Sequence, residues 1–106
     1  MEIGMAKKVV IITETMLKDR VLGVLCALGA KGYTVYHDLS GKGRHGVRSA
    51  IEAVDKVYGN TCIEVIVAKE ELAISIMEEI YHKVLANRYA GIVYLEEIRV
   101  VCPEKF

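Results

Sequence analysis

Apolar positions change rhythm along the chain, and each change marks an element. Residues Lys8 to Thr13 (KVVIIT) place four β-branched residues in a row. Such a run resists helix and suits a pleated surface, so it is expected as a buried strand. Thr15 is placed to cap a helix in which Leu17, Val21, Val24, Leu25 and Leu28 recur at helical spacing, with Lys18, Asp19 and Arg20 mostly towards solvent. Gly29 and Gly32 stop that helix. Tyr33 to Asp38 (YTVYHD) reads as a second strand and runs into a glycine-rich stretch, Ser40 to Ser49. A third strand is expected at Cys62 to Ala68 (CIEVIVA). The spacing of Leu72, Ala73, Ile76, Met77, Ile80 and Val84 then predicts a helix over Glu70 to Asn87. Glu70 and Glu71 near its start and Lys83 and Arg88 near its end complement the macrodipole. A fourth strand runs from Gly91 to Leu95 and onward to Val101.

The order is βαββαβ, an α+β arrangement of the ferredoxin-like kind, with two helices on one face of an antiparallel sheet. The other face stays open. Strands this apolar would leave too much greasy surface in a monomer, so that face is expected to meet other subunits or a ligand.

The chain has 106 residues, 53% of them hydrophobic, which allows one domain (1–106) with a real core. Lys and Arg total 14, matched by 14 Asp and Glu, so no global field draws it to nucleic acid or an anionic membrane. The start, MEIGMAKK, has no apolar signal core, and a cytoplasmic protein is expected. Cys26, Cys62 and Cys102 are odd in number and far apart, which favours reduced thiols, two of them in the core.

Between strands two and three lies an insertion, Leu39 to Thr61, where a hairpin ordinarily needs about two to five residues. Its first half, LSGKGRHGVRS, gathers three glycines with Lys42, Arg44 and Arg48 and no acid, the outline of an anion site built from backbone N–H groups and cations. A solvated basic loop is the plainer reading. Ile51, Val54 and Tyr58 give the second half helical spacing. Gly41, Gly43 and Gly46 also fit G-x-G-x-x-G, yet a dinucleotide fold wants a long helix opening inside that motif. No Walker A loop is present.

Catalytic and metal signals are weaker. His37, His45 and His82 lack H-x-x-x-H spacing, and the adjacent pairs Glu70-Glu71, Glu78-Glu79 and Glu96-Glu97 point apart. No nucleophile and base can be paired, so no enzyme is expected.

Taken together, Gly32-Tyr33-Thr34-Val35, Gly41-Lys42-Gly43, Val47-Arg48-Ser49, Ile63-Glu64-Val65 and Tyr89-Ala90-Gly91-Ile92-Val93-Tyr94 resemble PII-like signalling proteins, above all the SbtB-type and carboxysome-associated members. The resemblance spans nearly the whole chain in order. It implies a homotrimer, a T-loop at about 39–61 that touches a partner, and an adenine nucleotide (AMP, ADP, ATP or cyclic AMP) in clefts between subunits, with bicarbonate as a further ligand. The implied nucleotide-binding residues are Gly41, Gly43, Arg44 and Arg48 at the loop base, Glu64 beside the ligand, and Gly91 before the last strand. The implied partner is a membrane transporter or an inorganic-carbon enzyme. A CutA-like metal-binding trimer is the alternative.

Overall fold

The long central strand explains most of the architecture. Strand β1 (Ile3–Glu14) exceeds the expected run at both ends because it pairs on both sides. It runs antiparallel to β5 (Asn60–Val67) from Lys7↔Val67 to Glu14↔Asn60, and to β6 (Ile92–Val101) from Ile3↔Val101 to Ile12↔Ile92. Strand β2 (Thr34–Leu39) adds to the far side of β5 and completes a four-stranded sheet in the order β2-β5-β1-β6. The computed structural model describes residues 1–43, 46–48, 59–86 and 91–106. A second sheet is a ribbon of β3 (Gly41–Gly43) and β4 (Gly46–Arg48), described as backbone only.

One face of the main sheet carries the core. Val9 and Ile11 of β1 and Ile63, Val65 and Val67 of β5 pack with Val21 and Leu25 of α1 (Lys18–Ala27) and with Ala73, Ile76 and Ile80 of α2 (Glu70–Ile80). Burial of each large aliphatic side chain is worth about 1.5–3 kcal/mol. The expected ferredoxin-like βαββαβ order is therefore the order observed.

Three local expectations change. Thr15 does not cap α1: it opens a 3₁₀ turn, Thr15–Leu17, its N–H donates to the Gly59 carbonyl at 2.8 Å, and its hydroxyl meets that of buried Thr61 at 2.7 Å. A hydroxyl inside a core needs a partner, and Thr15 supplies one. The second helix is α-helical only to Ile80 and then widens into a π turn, Tyr81–Leu85, in which the Ala86 N–H donates to the Tyr81 carbonyl at 2.7 Å. The wider turn carries adjacent residues round by a smaller angle, so Val84 and Leu85 are both buried. The expected continuation to Asn87 and Arg88 lies outside the described residues. Only Cys62 of the three cysteines is buried; Cys26 is exposed, because it follows Leu25 and so turns away from the core side of α1.

Candidate ligand site and the inserted ribbon

Alternation along the strands sends a second set of side chains to the face opposite the helices. Two cross-strand rows run over it. Tyr36, Cys62, Ile12 and Ile92 form one; Thr34, Glu64, Val10 and Tyr94 form the next. Tyr36 is 46% exposed, Ile92 53% and Tyr94 37%, so this face is apolar and uncovered in a single chain.

A charged cluster sits at its centre. Lys8 Nζ lies 3.7 Å from Glu64 Oε2 and 3.6 Å from Glu96 Oε1, and the Tyr36 hydroxyl donates to Glu64 Oε1 at 3.3 Å. The lysine distances exceed those of hydrogen bonds, so the attraction is chiefly coulombic. The Glu64 carboxylate, helped by Glu96, holds the Lys8 ammonium above its ordinary range. The same carboxylate pushes the Tyr36 phenol up, first through its charge and then through the hydrogen bond. Burial, and then Glu64, raise the Cys62 thiol, which makes it a poor nucleophile.

Beside Glu64 the surface opens into a cavity of about 240 Å³. Gly32, Tyr33, Thr34 and Ile66 line it with Glu64, and the carboxy-terminal Lys105 and Phe106 supply another wall. Glu64, expected beside the ligand, lines this cavity. Tyr33 and Thr34 belong to a run that the sequence marks only as strand, and Lys105 and Phe106 carry no sequence signal. Lys8 does carry one: a charge next to an apolar strand run, opposite another in CIEVIVA, points to a pair across the ladder.

The remaining expected site residues stand elsewhere. Strand β2 breaks register between Tyr36 and Leu39, and the Asn60 side-chain amide donates to the Leu39 carbonyl at 3.1 Å, which pins the point where the insertion leaves the sheet. Just beyond, Gly41 pairs with Arg48, Lys42 with Val47, and Gly43 with Gly46. The described residues of the glycine motif, Gly41–Gly43 and Gly46, thus lie on the strands of a ribbon, whereas a dinucleotide fold would open a helix there. Arg44, His45 and the helical expectation for 50–58 lie outside the described residues.

Gly91 adopts φ 127°, and a Cβ there would stand 3.0 Å from Leu85 Cδ2 and 3.3 Å from the Ile12 carbonyl oxygen. It precedes β6 at the same end of the sheet as the ribbon but on the other edge, roughly 14 Å away across three strand spacings. One chain therefore does not bring Gly91 and the ribbon base together.

With the ribbon growing from one end and a cavity on the uncovered face, the molecule is a ferredoxin-like domain carrying a long β2–β5 insertion. A family model described as nitrogen regulatory protein P-II matches residues 6–105. The chain belongs to that family. It is similar to CPII, a nitrogen regulatory PII-like protein from Thiomonas intermedia K12 solved with ADP, AMP and bicarbonate. The two are 31% identical with a TM-score of 0.88, over 99% of this chain and 96% of that one. A second CPII structure, with ADP and bicarbonate, matches at 31% identity and a TM-score of 0.81, over 99% and 97%. A putative PII-like signalling protein from Thermus thermophilus is 33% identical with a TM-score of 0.80, over 100% and 99%.

Proposed function

We propose that this protein is a PII-like signalling protein that binds an adenine nucleotide at clefts between subunits of a homotrimer and regulates a partner through its inserted loop. The observation that carries the reading is the cavity beside Glu64, on the open face of a chain whose family match spans residues 6–105. The nucleotides and bicarbonate held by CPII give the ligand classes. In this reading the chain is one domain, 1–106, with its T-loop at about 39–61, and it works in the cytoplasm without catalysis. No helix among the described residues is long and apolar enough to cross a membrane.

The separation of Gly91 from the ribbon supports a site shared between chains. Strands β2 and β6 are opposite sheet edges, so a heterologous contact would bring the Gly91 turn of one subunit towards the ribbon base of the next, and such contacts make a ring when their rotation closes. Gly41, Gly43, Arg44 and Arg48 would then hold phosphate from one side and Gly91 from the other. The partner is a membrane transporter or an inorganic-carbon enzyme, engaged through the loop. The CutA-like metal alternative gains no support: the described residues contain no group of three or more His, Cys, Asp or Glu able to hold an ion.

Calorimetry with AMP, ADP, ATP and cyclic AMP, each with and without bicarbonate, tests the reading. Saturable binding of at least one nucleotide is expected. Binding of none of them would refute it.

A further inference from the structure

We propose that Thr13 is a positioning residue of the ligand site: its buried hydroxyl donates to a carbonyl of the turn before β6 when the Gly91 N–H is drawn outward to an anion. This rests on the nucleotide reading, in which Gly91 meets phosphate, and names the group that supports the turn from beneath.

Thr13 follows the apolar run of β1 and stands opposite Thr61 in the β1–β5 ladder. Alternation puts both side chains on the helix-covered face, and both are buried, Thr13 at 2% exposure. Their hydroxyls fare differently. That of Thr61 meets the Thr15 hydroxyl at 2.7 Å, whereas Thr13 Oγ1 has no hydrogen-bond partner among the described residues. Buried hydroxyls are ordinarily paired, because the water they lose must be replaced. A valine would fill the same space without that penalty, so the hydroxyl is a standing cost in the free chain.

The hydroxyl lies under Gly91. A Cβ on Gly91 would stand 3.4 Å from Thr13 Oγ1, 3.3 Å from the Ile12 carbonyl oxygen and 3.0 Å from Leu85 Cδ2. Gly91 itself is exposed on its outer side, so the turn has solvent on one side and an unmet donor on the other. A trans peptide points its N–H and its C=O in opposite directions. Turning the Gly91 N–H outward to phosphate therefore turns the carbonyl of the same peptide inward. Of the three groups against Gly91, only the Thr13 hydroxyl can donate to it, since Leu85 is apolar and Ile12 presents an acceptor. Ligand binding and the pairing of Thr13 then occur together, and the cost carried by the free chain favours the bound one.

The test sets Thr13→Val against Thr13→Ser in the full chain, with urea unfolding of the free protein and calorimetry with AMP, ADP, ATP and cyclic AMP. Thr13→Val keeps the shape and removes the hydroxyl. Its midpoint in the free state should match or exceed the parent's, while every nucleotide the parent binds should bind about three- to tenfold more weakly. Thr13→Ser keeps the hydroxyl and should keep the parent affinity. A role confined to packing would instead lower midpoint and affinity together. Parent-like binding by Thr13→Val overturns the inference and leaves the nucleotide reading standing. Equal losses in the two variants do the same, since they trace the effect to disturbed packing. A Thr13→Val midpoint below the parent's also overturns it, because the hydroxyl would then be paired in the free chain, through a bound water. If the parent binds none of the four nucleotides, the nucleotide reading and the inference fall together.

Discussion

Arg48 and Gly91 show how differently two residues of one proposed site are constrained. Gly91 is fixed by its backbone: φ 127° lies where side chains are strained, and Leu85, the Ile12 carbonyl and the Thr13 hydroxyl crowd the place a Cβ would take. The Thr13 hydroxyl is itself buried without a hydrogen-bond partner among the described residues. Gly91→Ala should therefore destabilise the protein by about 1–3 kcal/mol, measured by urea unfolding at fixed protomer concentration. An unchanged midpoint would show that the turn relaxes freely. Arg48 belongs to β4, outside the main sheet, and a guanidinium is suited to pair with phosphate. A charge-assisted contact is worth about 1.5–3 kcal/mol, so Arg48→Ala should weaken nucleotide binding roughly tenfold or more and leave the unfolding midpoint in place. Parent-like affinity for every adenine nucleotide would move the phosphate site elsewhere. Sequence reading could nominate both residues but could not separate these roles, because φ and crowding are properties of the folded turn.

At the scale of elements, the β1–β6 ladder places two adjacent lysines opposite two adjacent glutamates. Lys7 faces Glu97 and Lys8 faces Glu96, and alternation puts the pairs on opposite sides of the sheet. Lys7 Nζ donates to Glu97 Oε1 at 2.7 Å, and this bond holds the Glu97 carboxyl below its ordinary value and the Lys7 ammonium above its own. A lowered carboxylate pKa means stability present above the unfolded value and lost as pH falls through the folded one. A raised lysine pKa means stability present below the unfolded value and lost as pH rises through the folded one. Glu97→Gln should thus lower the melting temperature slightly at neutral pH, and the gap from the parent should close as the acid is titrated. The effect should shrink in high salt, since the pair is at the surface. A gap that persists at acid pH would assign the loss to packing. The Glu96-Glu97 doublet was expected to point apart, and the ladder shows that it does; its lysine partners needed the register of two strands some ninety residues apart in sequence.

Across the whole molecule the unbalanced feature is the open face, which carries exposed Tyr36, Ile92 and Tyr94 beside the Glu64–Lys8–Glu96 cluster. Covering such a surface favours association, and the proposed contact between the unlike edges β2 and β6 is heterologous, the kind that closes into a ring when its rotation allows. Light scattering at micromolar protein should give the mass of a trimer of the 11.8 kDa chain, and a monomer would contradict the proposed clefts. The order of strands and helices was legible in the sequence because period-two and helical spacing are set by which side chains must leave water, residue by residue. So was the insertion, since its glycines and cations break both rhythms. Glu64 was nominated by resemblance, and nothing local in CIEVIVA says that it meets Lys8, Tyr36 and a cavity. The π turn, the Thr15–Thr61 hydroxyl pair and the wall formed by Lys105 and Phe106 were decided only by the tertiary structure. Each joins segments distant along the chain, or answers a packing demand made by another element, and hydrophobic spacing within one segment holds no information about what that segment will touch.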